Sequence, residues 1–322
     1  MVTISTLQEK DMINAPFMIV SVLNGISNNG APYLSLTLQD KTGTIEAKVW
    51  DVKEQQESIA KIGSILEFEA DVLKYKGKLQ LRVKTMTHKN QSEYQLGDFI
   101  MASSISKDEL QSGINGYINQ ITNSSLRQIV DELFKRKGND FYIYPAAARN
   151  HHDYVGGLAT HTLEMCQLGE AIADLYPQTN KELLLAGILI HDLGKIDEYK
   201  SPIVVEYSTQ GKLLGHISML SAELYEIAKQ FDIHENEEVL LLRHMVLAHH
   251  GKLEFGSPVV PQILEAELLN LIDDMDARIQ MFTKHTDQIQ PGEFTPRIFP
   301  LESRTIYLPK KKDSKSFTPS LL

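Results

Sequence analysis

A chain of 322 residues, 42% of them hydrophobic, is long enough for two domains with cores of their own. It holds no apolar run of 18 residues and no basic-apolar leader, so neither a membrane span nor a signal peptide is expected. The single Cys166 excludes an internal disulfide and fits a reducing cytoplasm, and the net charge of −10 is uneven, since residues 1–90 carry 11 Lys/Arg against 10 Asp/Glu.

The first ninety residues predict strands. Phe17 to Leu23, Tyr33 to Gln39 and Thr44 to Val49 are short β-rich runs. Asp40-Lys41-Thr42-Gly43 between the last two is a hairpin signal. Asp51 to Ala60 predicts a short helix. Ser64 to Leu73 and Leu79 to Thr87 form a second strand pair, turned at Lys76-Gly77-Lys78. Five strands with a helix between the third and fourth predict an OB-fold barrel over residues 1–90, although other five-stranded barrels share that layout. Between Asp71 and Glu93 every charge is positive: Lys74, Lys76, Lys78, Arg82, Lys84 and Lys89. With Tyr33, Trp50 and Tyr75 nearby, the stripe suits single-stranded nucleic acid, its phosphates neutralised and its bases stacked. The alternatives are an ordinary charged barrel face and, for Trp50, a place in the core.

Residues 91–145 predict a helical connector packed on the next domain. Gln91 to Gly97 reads as a linker, Ser106-Lys107-Asp108-Glu109 as a capping box, and Ile114 to Lys137 as helix.

Residues 146–290 predict an all-α domain with polar groups on apolar stripes. Leu158, His161, Met165, Leu168, Ile172 and Leu175 recur at helical spacing, so His161 faces inward. Leu183 to Ile190 is apolar on every side and ends at His191-Asp192. Two ionisable groups at the end of a buried helix are costly unless something binds them, and the negative end of the helix dipole there favours a cation. His216 heads a stripe through Met219, Leu220, Leu224, Ile227 and Phe231. Leu242 and Met245 lead to His249-His250, and Leu269 and Ile272 to Asp273. Singly, each has a plain structural alternative: a core histidine, a helix-end residue, or a solvated acidic face made of Asp273, Asp274 and Asp276. Jointly, five segments offering inward nitrogens and oxygens predict a metal centre.

Seven N/O ligands without thiolate suit Mn²⁺, Fe²⁺, Co²⁺ or Zn²⁺. Asp192 is the expected bridge between two ions. His161, His191 and Asp273 complete one site, and His216 and His249 the other, with His250 on the second ion or on a phosphate oxygen. Such a pair clamps the attacking and leaving oxygens of a phosphate ester. Lys195, close behind Asp192, is placed to stabilise developing phosphate charge, or is an ordinary lysine near a helix end. Beyond residue 290, Pro291, Pro296, Pro300, Pro309 and Pro319, with Lys310 to Lys312, predict an extended or mobile tail over residues 291–322.

The order His161, His191-Asp192, His216, His249-His250, Asp273 resembles the HD-domain metal-dependent phosphohydrolases over about residues 146 to 285, and the segments GGLATHTLEM and HDLGK strengthen the likeness. With an OB-like first domain, the chain resembles more narrowly the YhaM-type bacterial 3′-to-5′ exoribonucleases. The segment PAAARNHHDYVGGLATHTLEM is the most telling. The resemblance implies Mn²⁺-dependent removal of nucleotides from a free 3′ end, with RNA preferred and single-stranded DNA sometimes accepted. His151 and His152 match that family's paired histidines, which makes them candidates for phosphate or substrate contact as against a polar loop. Two other functions compete. One is an HD-type nucleotidase or cyclic-dinucleotide phosphodiesterase, which would not need the barrel. The other is a non-enzymatic nucleic-acid-binding accessory protein, which would have no reason to keep every ligand. Homo-oligomerisation is left open.

Overall fold

The computed structural model describes residues 2–27, 29–88, 94, 96–147, 152–202 and 206–310. Alternation builds the first domain. In β3 (Gly43–Trp50), Ile45, Ala47 and Val49 turn inward while Glu46 faces solvent. β1 (Met12–Ile26), β2 (Pro32–Asp40), β4 (Ile65–Tyr75) and β5 (Lys78–Thr87) bury similar rows, with Phe17, Leu36, Phe68 and Leu81 fully enclosed. The strands close into a barrel in the order β1-β2-β3-β5-β4, β3 and β5 being the parallel pair. α1 (Glu54–Ile59) lies between β3 and β4, as the spacing predicts.

β1 is longer than its β-rich run. It begins at Met12 rather than Phe17, because Asn14 and Pro16 are held extended opposite Glu69 and Glu67 of β4. Pairing there overrides weak local propensity. At the β2–β3 hairpin the Asp40 carboxylate accepts from Thr42 N at 2.7 Å, from Thr42 Oγ1 at 2.6 Å and from Ile4 N at 2.7 Å. At the β4–β5 hairpin Lys76 and Gly77 take φ of 49° and 84°, the positive pair of a type I′ turn.

Residues 114–137 are two helices, not one. α2 (Lys107–Ile118) starts with the predicted reciprocal cap between Ser106 and Glu109. α3 (Ser124–Lys137) starts anew at Asn123, whose side chain accepts from Ser125 N and Leu126 N. Glu182 takes the amides of Thr122 and Asn123 at 2.7 Å each, which fixes the break. The apolar period runs through it, since Ile118, Ile121 and Leu126 are all buried, so the pattern hides the turn. Leu110, Ile114, Ile129 and Leu133 share one core with Leu158, Leu189, Leu242 and Ile272. The two connector helices thus pack into the core of the helical domain. Of the predicted linker, residues 91–93 and 95 lie outside the described residues. Phe99 packs with Met18 and Ile65 against the barrel, and its carbonyl accepts from Gln39 Nε2 at 3.0 Å.

α5 (Lys181–Ile190) is the central helix, with Leu183 to Ile190 all buried. α4 (Gly157–Leu175), α8 (Glu237–Ala248) and α9 (Leu264–Thr286) pack on it, and α7 (Thr209–Gln230) packs on α8 and on the short α6 (Lys195–Glu198). The predicted stripes overrun this core at their ends, where Leu175 and Phe231 are exposed.

The extended tail is corrected over its described part. Residues 291–310 fold back along α9. Phe294 and Ile298 bridge Tyr307 and Arg304, Ile298 and Leu301 bury against Met281, and Arg278 forks onto Glu302 at 2.9 and 3.1 Å. Pro291 stands in a turn and Pro300 in a short 3-10 helix over Phe299–Leu301. Residues 311–322, with Lys311, Lys312 and Pro319, lie outside the described residues. Among the described residues no helix is long and apolar enough to cross a membrane.

Candidate metal centre

α5 ends at His191, and Asp192 sits in the turn that leads to α6. A Cβ on Gly194 in that turn would stand 2.4 Å from the main-chain oxygen of His216. Only glycine lets the turn lie this close to α7, which itself bends at Gly215 just before His216. α4 contributes His161, α8 ends at His249-His250, and α9 contributes Asp273.

Asp192 lies between two sets of side chains. Its Oδ2 is 3.3 Å from His191 Nε2 and 4.0 Å from His161 Nε2, which in turn is 3.3 Å from Asp273 Oδ1. Its Oδ1 is 3.4 Å from His216 Nε2 and 3.7 Å from His249 Nε2. Ligand-capable atoms of His161, His191 and Asp273 fall within 4.8 Å of one another, as do those of Asp192, His216, His249 and His250. Lys195 Nζ bonds Asp192 Oδ2 at 2.6 Å, and it heads α6.

Each imidazole of these groups is held by its other nitrogen. His191 Nδ1 meets the Ile188 carbonyl at 2.8 Å and His249 Nδ1 the Val246 carbonyl at 2.8 Å. His250 Nδ1 meets the Phe255 carbonyl at 2.8 Å, His216 Nδ1 the Glu198 carboxylate at 3.2 Å, and His161 Nδ1 the Asp276 carboxylate at 2.6 Å. A carbonyl can only accept, so it forces the proton onto Nδ1 and leaves Nε2 a lone pair facing the centre.

The donor set fits divalent cations. Nε2 of His191, His216 and His249 and Oδ1 of Asp192 are buried and, among the described residues, have no hydrogen-bond partner. A buried polar atom left so costs about 1–3 kcal/mol. Four of them gathered around Asp192, in the two ligand-capable groups, fit a bound divalent cation.

Charge follows the same arrangement. Burial pushes the Asp192 carboxyl up, but Lys195 and His191 outweigh it and hold it well below the carboxylate range. Burial likewise opposes Asp273, which hydrogen bonding to His161 holds far down. Burial alone would lower His161, but Asp273 and Asp276 push it up to about 10. His249 goes far down through burial and the neighbouring His250 and His191. The neutral imidazole is the form that ligates.

Residues 158–278 match the family model described as HD domain, and residues 18–88 the one described as OB-fold nucleic acid binding domain. A protein of Geobacillus sp. (strain WCH70) named 3′-5′ exoribonuclease YhaM is 40% identical over 300 residues, 93% of this chain and 92% of the relative. The protein of that name from Bacillus subtilis (strain 168) is 41% identical over 300 residues, 93% and 95% of the two chains. The chain belongs to the YhaM family. Its fold is accordingly an N-terminal five-stranded OB-like barrel followed by a helical HD domain, mixed α and β as expected.

In this YhaM-family chain the remaining candidates are scattered. The lysine-rich strand lies about the β4–β5 hairpin, but Asp71 of β4 faces Arg82 and bonds it at 2.7 Å and Lys84 at 2.5 Å, so the stripe is partly neutralised across the strands. Lys76 sits 5.4 Å over the Tyr75 ring, between Lys74 and Lys78. Trp50 is not core. It is 49% exposed, 5.0 Å from the Tyr33 ring, with Lys48 Nζ 5.2 Å over that ring. His151 and Lys89 lie outside the described residues. His152 is buried, its Nε2 2.8 Å from Asp276 Oδ2. It stands behind His161 rather than in an exposed loop. Gly157 makes room for its backbone, since a Cβ there would meet the His152 carbonyl at 2.0 Å.

Two carboxylates were missed from the sequence. Asp276 belongs to no solvated face, being buried between His152 and His161. Its spacing of three from Asp273 on one helix was the available signal. Glu198 accepts from His216 N at 3.0 Å as well as meeting Nδ1, and no local pattern marks it.

Proposed function

We propose that this chain is a metal-dependent exoribonuclease that hydrolyses single-stranded RNA from its 3′ end, using two divalent ions with Mn²⁺ foremost, and that it also accepts single-stranded DNA. The observation that carries the reading is the Asp192 carboxylate, whose two oxygens face separate ligand sets. His161, His191 and Asp273 would hold one ion and His216, His249 and His250 the other, with Asp192 shared. Cations held there supply Lewis acidity to phosphate oxygens and acidify water near neutral pH. Five imidazoles with two carboxylates suit Mn²⁺, Co²⁺, Fe²⁺ and Zn²⁺ alike.

The chain's own groups do the rest. Lys195 holds Asp192 by its ammonium, and it adds a fixed positive charge beside the place where phosphate charge develops. Glu198 and Asp276 orient one histidine in each set. On the barrel, Tyr33 and Trp50 offer a stacking platform and Lys74, Lys76 and Lys78 offer phosphate contacts, for which a small nucleotide substrate would have no use. The 3′ direction rests on the name of the relatives. A cytoplasmic location belongs to the same proposal, supported by the RNA substrate and by the lone, buried Cys166. Self-association accompanies this reading as an open arm of its test.

Purified protein is incubated with 5′-labelled single-stranded RNA and Mn²⁺, with and without EDTA, and its mass in solution is measured. A ladder shortening from the 3′ end, lost in EDTA, is expected. Intact RNA with retained binding would point to an accessory protein, and cleavage of small nucleotides alone to a nucleotidase. Asp192→Ala should abolish hydrolysis, and activity near wild type with metal still bound would remove Asp192 from the mechanism.

A further inference from the structure

The segments on either side of the Asp192-His216-His249-His250 set carry apolar side chains into solvent. Leu213 and Leu214 stand just before the bend at Gly215 and are 77% and 58% exposed. Leu253 and Phe255 follow His249-His250 and are 66% and 60% exposed. The second segment is tied to the centre. His250 N donates to Ser257 Oγ at 3.1 Å, Asn270 Nδ2 donates to the His249 carbonyl at 2.8 Å, and the Phe255 carbonyl is the acceptor for His250 Nδ1. The Phe255 backbone therefore touches a candidate ligand while its ring stands in solvent. Lys252 Nζ lies 5.4 Å over that ring. The rings of His216 and His250 are 5.3 Å apart, so the two apolar segments border one ligand pair.

We propose that Phe255 is a substrate-positioning residue that stacks on a nucleobase at the 3′ end of the RNA, next to the phosphodiester held at the ligand sets. Leu253 extends that surface, Leu213 and Leu214 line it on the His216 side, and Lys252 attracts the adjoining phosphate. This inference rests on the exoribonuclease reading. Exposed apolar surface beside a charged centre marks a contact site. Every base has a π face, so a phenyl ring holds any of them without reading the sequence. An enzyme that shortens a strand one nucleotide at a time needs that indifference. A phenyl ring has no hydrogen-bonding group that would favour one base.

The test compares full-length wild type, Phe255→Ala and Phe255→Trp, each with Mn²⁺, on mixed-sequence single-stranded RNA and on the same RNA with abasic sugars at its 3′ end. Phe255→Ala should raise KM on normal RNA about ten-fold. It should leave kcat unchanged and make no further difference on abasic RNA, where wild type is already weak. Phe255→Trp should restore KM. Equal loss on both substrates, or a normal KM in Phe255→Ala, would overturn the stacking role while leaving the exoribonuclease intact. Wild type that cleaves neither RNA would overturn both.

Discussion

The carboxylate of Asp276 reaches Nδ1 of His161 at 2.6 Å, on the side of the ring away from Asp192. The same oxygen lies 2.8 Å from His152. One buried acid thus fixes both the proton and the angle of a candidate ligand histidine, and a second histidine braces the acid. Groups placed so typically govern metal affinity by about 10–100-fold. Asp276→Asn should weaken Mn²⁺ binding by that amount with unchanged circular dichroism. An electron paramagnetic resonance titration matching wild type would show that Asp276 does not tune the site.

Metal-free protein should be most stable near neutral pH. His161 is lifted from its ordinary 6.5 to about 10, burial being outweighed by Asp273 and Asp276. A raised value stabilises fully below 6.5, and that contribution is lost as pH climbs towards 10. Burial lowers His249 and His250, so their contribution is present above 6.5 and lost as pH falls through their folded-state values. A cation held by His161 would displace its proton, so on the proposed ligand set the gain in Tm on adding Mn²⁺ should grow between about pH 6 and pH 9. A gain independent of pH would take His161 out of the ligand set. Melting curves in EDTA and in Mn²⁺ measure both.

Gly194→Ala should disturb the second ligand set from outside it. The new Cβ would stand 2.4 Å from the His216 carbonyl, which as main chain has little room to yield. Overpacking of this kind costs about 1–3 kcal/mol. Urea unfolding should report that loss, and elemental analysis fewer bound ions. Wild-type stability with full metal content would mean that the turn has slack.

Trp50→Ala should weaken binding of long RNA by roughly 5- to 100-fold, the usual worth of one stacked base. The half-exposed indole has Tyr33 as its ring neighbour, so the barrel core stays closed in its absence. Cleavage of a dinucleotide should proceed as before. Equal loss on dinucleotide and long strand would place Trp50 in a structural role.

Much of the site is legible along the chain because it sits on regular elements. A period of 3.6 orients His161, His249 and Asp273 inward, and an all-apolar run marks α5 as buried before its HD ending is considered. Alternation at period two does the same for the barrel. What escapes notice lies between elements. The break at Asn123 preserves the apolar pattern, so only the tether to Glu182 exposes it. Asp71 cancels part of the basic stripe because β4 and β5 pair it with Arg82, a neighbour across strands and not along one. Residues 291–310 look loose by their prolines yet bury Ile298 and Leu301 against Met281.

From composition and spacing alone come the candidate ligands, their inward orientation, and a barrel joined to a helical domain. The tertiary structure decides which oxygen of Asp192 meets which histidines, that Glu198 rather than some other acid supports His216, and that the Phe255 carbonyl meets His250 while its ring is exposed. The reason is geometric. Periodicity constrains the direction of a side chain relative to its own helix, whereas the meeting of groups on different helices depends on where the chain bends, at Gly194 and Gly215, and no repeat along the chain encodes that.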